Sequence, residues 1–282
     1  MVEYNPVSDD LEMISQTSIP YPVPRLAWIP DKMGIKPDLI ITAGDFMRLW
    51  SISDTEGISI VSLFCNDQQD VYPCPVTSVA WNPVDLSSII STSHDGMCSI
   101  WNINTGYAIA QVASQESPCL DVAFDPYGES FITVGSSGAL KHYTLSSPHH
   151  FNVLYSSPTN SPLLHVAWNQ ANPCMVAVSH ADECRVSIVD IRMPNKPVVE
   201  LQGHRNSINS IQWCPDSPTQ LITAGGDNKI LLWDITDPLT LHPNDSAALM
   251  ELPAEASMVS WNRFSPGYVS LSCGKEVRIY HI

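Results

Sequence analysis

A short run of residues that ends in a large aromatic side chain recurs along the chain and limits the possible folds more than any other feature. Each copy has an apolar residue two positions before the aromatic one, and the copies follow one another about every 45 residues. The copies are "RLAW" ending at Trp28, "SVAW" at Trp81, "DVAF" at Phe124, "HVAW" at Trp168, "SIQW" at Trp213 and "MVSW" at Trp261. Asn or Pro follows most copies within two residues, which indicates a strand that runs directly into a turn.

A second marker follows each of these after about 20 residues. The second markers are Trp50, Trp101, Tyr143, Val189, Trp233 and Tyr280. Between the two markers lies a β-rich run that ends in a small or acidic turn, for example "QLITAGG" followed by "DN". Each unit therefore predicts three strands joined by tight turns, and a weaker fourth strand follows, such as "YAIAQVA" or "VVELQGH".

Four short antiparallel strands in about 40–45 residues are typical of one blade of a WD-type β-propeller, in which neighbouring blades bury each other's faces. A sandwich would not repeat its Trp at a fixed position, and a helical solenoid needs helical stripes that this chain lacks. The sequence therefore predicts an all-β fold, a WD-repeat β-propeller that occupies residues 1–282 as a single domain. The predicted repeats are 20–65, 74–114, 117–157, 161–203, 204–250 and 254–282.

The Gly-rich acidic stretch "GGDNKILLWD" could be a catalytic or metal-binding loop, or a structural turn between strands. It belongs to the most complete repeat, which holds His204, Thr223, Asp227 and Trp233. An ionised Asp only accepts hydrogen bonds, so it suits the donors of a His side chain and of turn amides. We therefore predict a buried structural relay of these side chains. The second repeat carries a partial set in the same positions, namely Ser91, Asp95 and Trp101.

The chain carries a formal net charge of −16, and such a negative field repels DNA, RNA and anionic membranes. No Lys or Arg occurs between Leu49 and Leu140. The same span holds ten acidic residues: Asp54, Glu56, Asp67, Asp70, Asp85, Asp95, Glu116, Asp121, Asp125 and Glu129. They form either a solvated acidic flank or a docking face for a basic partner.

The sequence contains no nucleotide-binding, hydrolase, metalloprotease or kinase motif. Its eight cysteines lack C-x-x-C spacing, which argues against a zinc site and favours buried thiols in a reducing compartment. We therefore predict no catalytic residue, no cofactor and no metal. The start of the chain lacks a signal-peptide pattern, and no apolar run reaches about 18 residues, so we expect a cytoplasmic and nuclear protein that does not cross a membrane.

Several longer stretches are more specific than a generic repeat. The most specific are "PYPVPRLAWIPDKMGIKPDLIITAGDFMRLW" (20–50) and "VSIVDIRMPNKPVVELQGHRNSINSIQW" (186–213). "CPVTSVAWNPVD" (74–85) and "SPLLHVAWNQANP" (161–173) follow the same order. On these stretches nearly the whole chain resembles the eukaryotic WD-repeat adaptor family that includes plant Transparent Testa Glabra and the animal protein that binds DYRK and HIPK kinases.

That resemblance implies seven blades, whereas six repeats are recognisable in this chain. Its start, "MVEYNP", resembles a point inside the family's first repeat, as a truncated N-terminal repeat would. One hypothesis is that residues 11–19 supply the outer strand of the last blade and so close a ring of six. The other is an incomplete arc of seven with an open edge.

The resemblance also implies a non-catalytic scaffold that assembles protein complexes. Its expected partners are a protein kinase or transcription factors of the MYB and basic helix-loop-helix types, with the chain itself a monomer within the complex. An enzyme is disfavoured, because propeller hydrolases use acids or His that converge on a metal in the central channel, and the sequence offers no such set.

The alternative is a substrate receptor of a cullin–RING ubiquitin ligase. Some WD-repeat proteins dock on that ligase's adaptor through a W-D-x-R box. "VDIR" resembles the box, with Asp190 and Arg192 in place and Val189 instead of Trp, whereas "WDIT" has Thr236 where Arg is needed. An ordinary strand end with a solvent-exposed Arg would look the same in the sequence.

Overall fold

The description below rests on a computed structural model of the protein, which describes residues 2–5, 10–31, 34, 36–53, 57–64, 74–114, 118–236, 247–262 and 267–282. These residues form 25 strands and no helix, and therefore include no helix able to span a membrane. The all-β prediction is confirmed.

The strands form six propeller sheets, numbered here in chain order, and one separate hairpin, and all described pairs are antiparallel. The hairpin consists of β1 (Val2–Asn5) and β2 (Asp10–Met13). Sheet 1 consists of β3 (Leu26–Trp28), β4 (Asp38–Thr42), β5 (Met47–Ser53) and β6 (Gly57–Phe64). Sheet 2 consists of β7 (Val76–Trp81), β8 (Ser88–Ser93), β9 (Met97–Asn102) and β10 (Ala108–Ala113). Sheet 3 consists of β11 (Cys119–Phe124), β12 (Ser130–Gly135), β13 (Ala139–Thr144) and β14 (Ser147–Ser156).

The remaining three sheets follow the same order of pairing. Sheet 4 consists of β15 (Leu163–Trp168), β16 (Met175–His180), β17 (Arg185–Asp190) and β18 (Pro197–Gln202). Sheet 5 consists of β19 (Ile208–Trp213), β20 (Gln220–Gly225), β21 (Lys229–Asp234) and β22 (Ala247–Glu251). Sheet 6 consists of β23 (Ala256–Trp261), β24 (Tyr268–Cys273) and β25 (Glu276–His281).

The sheets form a six-bladed β-propeller in which the first strand of each sheet lines a central channel. Five hydrophobic clusters join consecutive sheets, from sheets 1 and 2 to sheets 5 and 6. Each cluster contains the aromatic residue that ends the first strand of its second sheet. The repeated aromatic residue is thus the anchor that buries one sheet against the preceding one.

The hypothesis that residues 11–19 close the last blade is wrong for the part of the chain that the structure describes. Asp10–Met13 pairs with Val2–Asn5, residues 14–19 contain no strand, and sheet 6 has three described strands. The physical reason is local: β1 and β2 are neighbours in the chain, so their pairing closes a short loop, whereas pairing with β25 would close nearly the whole chain.

Candidate functional site

Asp190 and Arg192 form an ion pair at the end of the third strand of sheet 4. The carboxylate Oδ1 of Asp190 accepts hydrogen bonds from the backbone N and the Nε of Arg192, at 2.9 and 3.0 Å. Its Oδ2 accepts a third bond from Nη2 at 2.6 Å. The hydrogen bond from Arg192 lowers the pKa of Asp190, and Asp190 in turn raises the pKa of Arg192. Both side chains are therefore charged at neutral pH.

The two members of this pair differ in exposure, because the Asp190 side chain is 6% exposed and that of Arg192 is 68% exposed. The guanidinium has five N–H groups, and the two bonds to Asp190 leave three that are available to other acceptors. A hydrogen bond of 2.7 Å from Asn195 N to Leu154 O ties the same turn to sheet 3. The fold thus holds the Arg192 guanidinium in place on the surface, with three N–H groups that do not bond Asp190.

Val189 replaces the Trp of a W-D-x-R box, and its side chain is fully buried in sheet 4. The aromatic residues at the equivalent position of sheets 1, 2, 3 and 5 are also buried, namely Trp50, Trp101, Tyr143 and Trp233, whereas Tyr280 of sheet 6 is partly exposed. Val189 in place of Trp therefore changes the interior of the sheet and not the exposed Arg192. In "WDIT", Thr236 Oγ1 donates to Asp234 Oδ1 at 2.5 Å, so no guanidinium is presented there.

The structure brings His204, Thr223, Asp227 and Trp233 together inside sheet 5. His204 Nδ1 lies 2.9 Å from Asp227 Oδ1, and His204 Nε2 lies 2.7 Å from Thr223 Oγ1. The indole N–H of Trp233 donates to the same Thr223 oxygen at 3.0 Å. Burial lowers the pKa of His204 even though its bond with Asp227 favours the charged form, so the imidazole is neutral at pH 7.

A neutral His204 fixes the direction of every bond in this relay. Since Asp227 only accepts, Nδ1–H donates to it, Nε2 accepts from the Thr223 hydroxyl, and Thr223 accepts from Trp233. All four side chains are buried, and a Cβ added at Gly225 would lie 2.5 Å from His204 Nδ1. The relay therefore has no open space for a substrate and acts within the sheet.

In sheet 2 the structure joins only two of the three predicted residues. Trp101 Nε1 donates to Ser91 Oγ at 2.8 Å, deep in the sheet. Asp95 lies apart on the surface, where it accepts bonds from Ser93 Oγ at 2.5 Å and from the backbone N of Met97 at 3.1 Å. Tyr72, which stands where His204 stands in its repeat, lies outside the described residues. Asp95 thus stabilises its own turn.

Asp121 is a buried carboxylate whose role the sequence did not indicate. It lies on the first strand of sheet 3 and accepts a bond of 2.6 Å from Ser78 Oγ of sheet 2 and one of 3.0 Å from Val166 N of sheet 4. Burial alone would raise its pKa, but the charge of Arg25 and contacts with His165 and Ser78 lower it to about 2. Asp121 therefore ties three consecutive sheets together as a charged group.

The structure describes only part of the acidic span between Leu49 and Leu140, which the sequence interprets either as a solvated flank or as a docking face for a basic partner. Half of the acids lie outside the described residues: Asp54, Glu56, Asp67, Asp70 and Glu116. Of the others, Asp121 and Asp125 are buried and accept hydrogen bonds from their own chain. Exposed acids in the described part of this span are Asp85, Asp95 and Glu129. Among all described residues, no group of three or more His, Cys, Asp or Glu could hold a metal ion.

Comparison with known proteins agrees with this architecture. The family model "WD domain, G-beta repeat" matches residues 66–102 and 195–234. The chain is 31% identical over 283 residues to the "DDB1- and CUL4-associated factor 7 homolog" of Dictyostelium discoideum, a match that covers 100% of this chain and 86% of that protein.

Two fungal proteins are similar over most of this chain. A WD repeat-containing protein of Saccharomyces cerevisiae is 28% identical over 81% of the chain and 51% of its own length. An uncharacterized WD repeat-containing protein of Schizosaccharomyces pombe is 28% identical over 80% of the chain and 58% of its own length. The chain thus spans little more than half of these two relatives.

Proposed function

This chain belongs to the WD-repeat family that includes the DDB1- and CUL4-associated factor 7 homolog of Dictyostelium discoideum, and on that premise we propose that it is a non-catalytic scaffold. A propeller of this kind holds two or more proteins next to one another. Its effect is to raise the effective concentration of one partner near the other rather than to make or break a bond.

The observation that carries this proposal is which polar side chains are hydrogen-bonded inside the protein and which are exposed. The relay of sheet 5 and the Asp121 contacts engage His204, Thr223, Asp227 and Asp121 in hydrogen bonds inside and between sheets. The groups that remain for recognition are exposed, and Arg192 is held in place by its own carboxylate partner. Such an arrangement suits the binding of a protein surface, where a fixed Arg is a frequent anchor.

The proposed partners are a protein kinase or MYB and basic helix-loop-helix transcription factors, bound in the cytoplasm or nucleus. Proximity labelling in the native cell, with the chain fused to a labelling enzyme, tests this assignment. We expect kinases or transcription regulators to be enriched over a matched fusion to an unrelated propeller. A labelled set without any such regulator rejects the assignment.

A second candidate function is that of a substrate receptor of a cullin–RING ubiquitin ligase. The name of the Dictyostelium relative refers to association with DDB1 and CUL4, and the Asp190–Arg192 pair supplies the exposed guanidinium of a W-D-x-R-like box. We propose that the three free N–H groups of Arg192 donate to acceptors on the ligase adaptor. The buried Val189 replaces a Trp that would also be buried, so it leaves this surface intact.

The Arg192→Ala variant tests this second function. It removes the guanidinium and is expected to reduce recovery of the ligase adaptor with the tagged chain about tenfold or more, as loss of an interface anchor does. The matched control is Arg205→Ala, since Arg205 is also exposed but lies in the loop before sheet 5. Equal recovery with both variants and the unaltered chain would reject the ligase function and leave the kinase or transcription-factor scaffold.

A further inference from the structure

Besides the central channel, a smaller cavity lies where the first strands of sheets 1 to 4 begin. It has a volume of about 510 Å³, within the range of about 300–1,000 Å³ that is typical of ligand pockets. It is lined by Arg25, which directly precedes β3, and by Asp121 and His165, on the first strands of sheets 3 and 4. Pro75 and His94, which also line it, are exposed, so the cavity is open to solvent.

Arg25 lies at the boundary between this cavity and the central channel, since it lines both spaces. Among the described residues that line either space, Arg25 and Asp121 are the only Arg, Lys, Asp or Glu residues. Apolar residues from the first strands of sheets 2, 3 and 4 also line the smaller cavity, namely Val76, Leu120 and Leu164. A ligand there meets one Arg and one Asp beside apolar side chains.

The carboxylate of Asp121 is already hydrogen-bonded through both of its oxygens. Its Oδ1 accepts bonds from Ser78 Oγ at 2.6 Å and from Val122 N at 2.9 Å. Its Oδ2 accepts a bond of 3.0 Å from Val166 N and lies 3.8 Å from His165 Nδ1. Because the side chain is only 3% exposed, a ligand cation has little access to either oxygen.

Arg25 is in the opposite condition. Among the described residues, its guanidinium has no hydrogen-bond acceptor and no ion-pair partner within 4 Å, and its side chain is half-buried. Its main chain is fixed, because its carbonyl accepts a bond of 2.9 Å from Ala43 N. Its five N–H groups are therefore available to a ligand. Four other described arginines each pair with a carboxylate: Arg48, Arg185, Arg192 and Arg278.

We propose that this cavity binds an Asp or Glu side chain from a segment of a partner protein, with Arg25 as the anchor. The planar guanidinium can meet a carboxylate through two parallel N–H···O bonds. Val76, Leu120 and Leu164 supply an apolar surface for a side chain next to that acid. The inference rests on the proposed scaffold function, and it gives the chemistry by which one partner is recognised.

The charge of Asp121 favours a carboxylate over a phosphate. Burial alone would raise the pKa of Asp121, and the charge of Arg25 is the largest of the effects that lower it to about 2, so the two charges interact. A carboxylate brings one negative charge, which Arg25 balances. A phosphorylated side chain brings nearly two, and the lining offers no second Arg or Lys to balance the charge of Asp121 and of the extra oxygen. A basic segment is repelled by Arg25.

The test uses the purified full chain and a phage library of random ten-residue peptides, followed by fluorescence anisotropy of the enriched peptides. The synthetic peptides carry an amidated C-terminus, so that side chains supply their only carboxylates. We expect enriched sequences with Asp or Glu next to a large apolar residue. Replacing that acid by Asn or Gln should weaken binding about tenfold or more, because the amide carries no charge to pair with Arg25.

Arg25→Gln should weaken binding of the acidic peptide about tenfold or more and leave binding of its amide counterpart within about twofold. Arg25→Lys keeps the charge but loses the two parallel bonds, so its affinity should fall between those of Arg25→Gln and the unaltered chain. It also supplies the comparison if Arg25→Gln does not fold, as judged by circular dichroism. The control Arg205→Gln removes an exposed Arg that does not line the cavity, and it should leave affinity within about twofold.

Three results would overturn the proposal. The first is an affinity that neither Arg25 variant changes, and the second is a selection without enriched acidic peptides. The third is a peptide with phosphoserine in place of the acid that binds more tightly than the carboxylate, which would assign the cavity to a phosphorylated segment. The proposed function is tested separately, by proximity labelling in the cell, so its failure is distinguishable from failure of peptide binding at Arg25.

Discussion

Sheets 4 and 5 are neighbours and come from successive copies of the repeat. Equivalent interior positions of the two sheets nevertheless hold different side chains, which make different hydrogen bonds. In sheet 5 the imidazole comes from His204, in the loop before the sheet, and meets Asp227. In sheet 4, Thr159 stands at the position of His204 and donates to Glu183, at the position of Asp227, over 2.6 Å. Sheet 4 thus has a hydrogen-bonded pair at the same two positions, but its first member is Thr159 and not a histidine.

The imidazole of sheet 4 belongs to the second strand of the sheet and not to the loop before it. His180 is paired with Leu163 at the register where Gly225 is paired with Ile208 in sheet 5. Its Nε2 lies 2.9 Å from Ser187 Oγ, while its Nδ1 is buried without a partner among the described residues. Both sheets therefore bury one imidazole, but only that of sheet 5 is fully hydrogen-bonded.

The largest expected effect on stability comes from replacing the aromatic side chain of the relay in sheet 5. Sheet 4 has Val189 where sheet 5 has Trp233, so Trp233→Val imposes the side chain of one sheet on the other. We expect it to lower the free energy of unfolding by about 3 kcal/mol or more, because it leaves a cavity and frees the Thr223 hydroxyl. Urea unfolding measures this loss. Trp28→Val, at a half-exposed Trp, is the control and should cost much less.

If Trp233→Val and Trp28→Val destabilise the protein equally, sheet 5 has repacked around the smaller side chain. The stability of sheets 4 and 5 would then not depend on the volume of the side chain at this position.

The second prediction uses the pH dependence of the two histidines. Burial and the charge of Arg185 lower the pKa of His180 to about 4, although Glu183 opposes the shift. In the unfolded chain a His titrates near 6.5, so the unfolded state takes up a proton first as the pH falls. The stability that His180 contributes is therefore complete above about pH 6.5 and is lost as the pH falls towards 4, by about 2 kcal/mol at pH 4.5.

Urea unfolding of the unaltered chain and of His180→Gln at pH 7 and pH 4.5 checks this prediction. The variant should lose less stability between the two pH values, whatever its stability at pH 7. His149→Gln alters an exposed histidine and should leave the difference unchanged. An unchanged difference in His180→Gln would show that this imidazole does not titrate during unfolding.

The six repeats show how far the sequence predicts this fold. The spacing of the aromatic markers predicts the first three strands of each sheet, because those strands pack on a neighbouring sheet and need a large residue at a fixed position. The fourth strands are edge strands with few obligatory contacts, so their pattern is weaker, as in β10, where only Val112 is buried. The closing strand was mispredicted because a local hairpin competes with a pairing across the chain.

The candidate sites divide in the same way. The sequence indicated the relay of sheet 5 because Gly-His, Asp and Trp stand at their usual positions in the repeat. It missed the His180–Ser187 contact, since the histidine moved to a strand position that holds Gly225 in the next repeat. It also missed Asp121, whose partners Ser78 and Val166 come from two other repeats. When the residues of a site come from different repeats, no residue spacing within a single repeat can indicate that site.

The smallest difference is expected at the carboxylates, where the two sheets are most alike. Asp227→Ala leaves the Nδ1–H of His204 and the backbone N–H of Arg205 without their acceptor, so it should cost about 1–3 kcal/mol. Glu183→Ala removes a partly exposed acceptor that meets Thr159 near the surface, and it should cost about 1 kcal/mol or less. Thermal and urea unfolding of both variants measure the two losses side by side. Equal losses would mean that burial of the imidazole does not strengthen the carboxylate contact. Loss of partner binding by Asp227→Ala at unchanged stability would instead make this turn a recognition site.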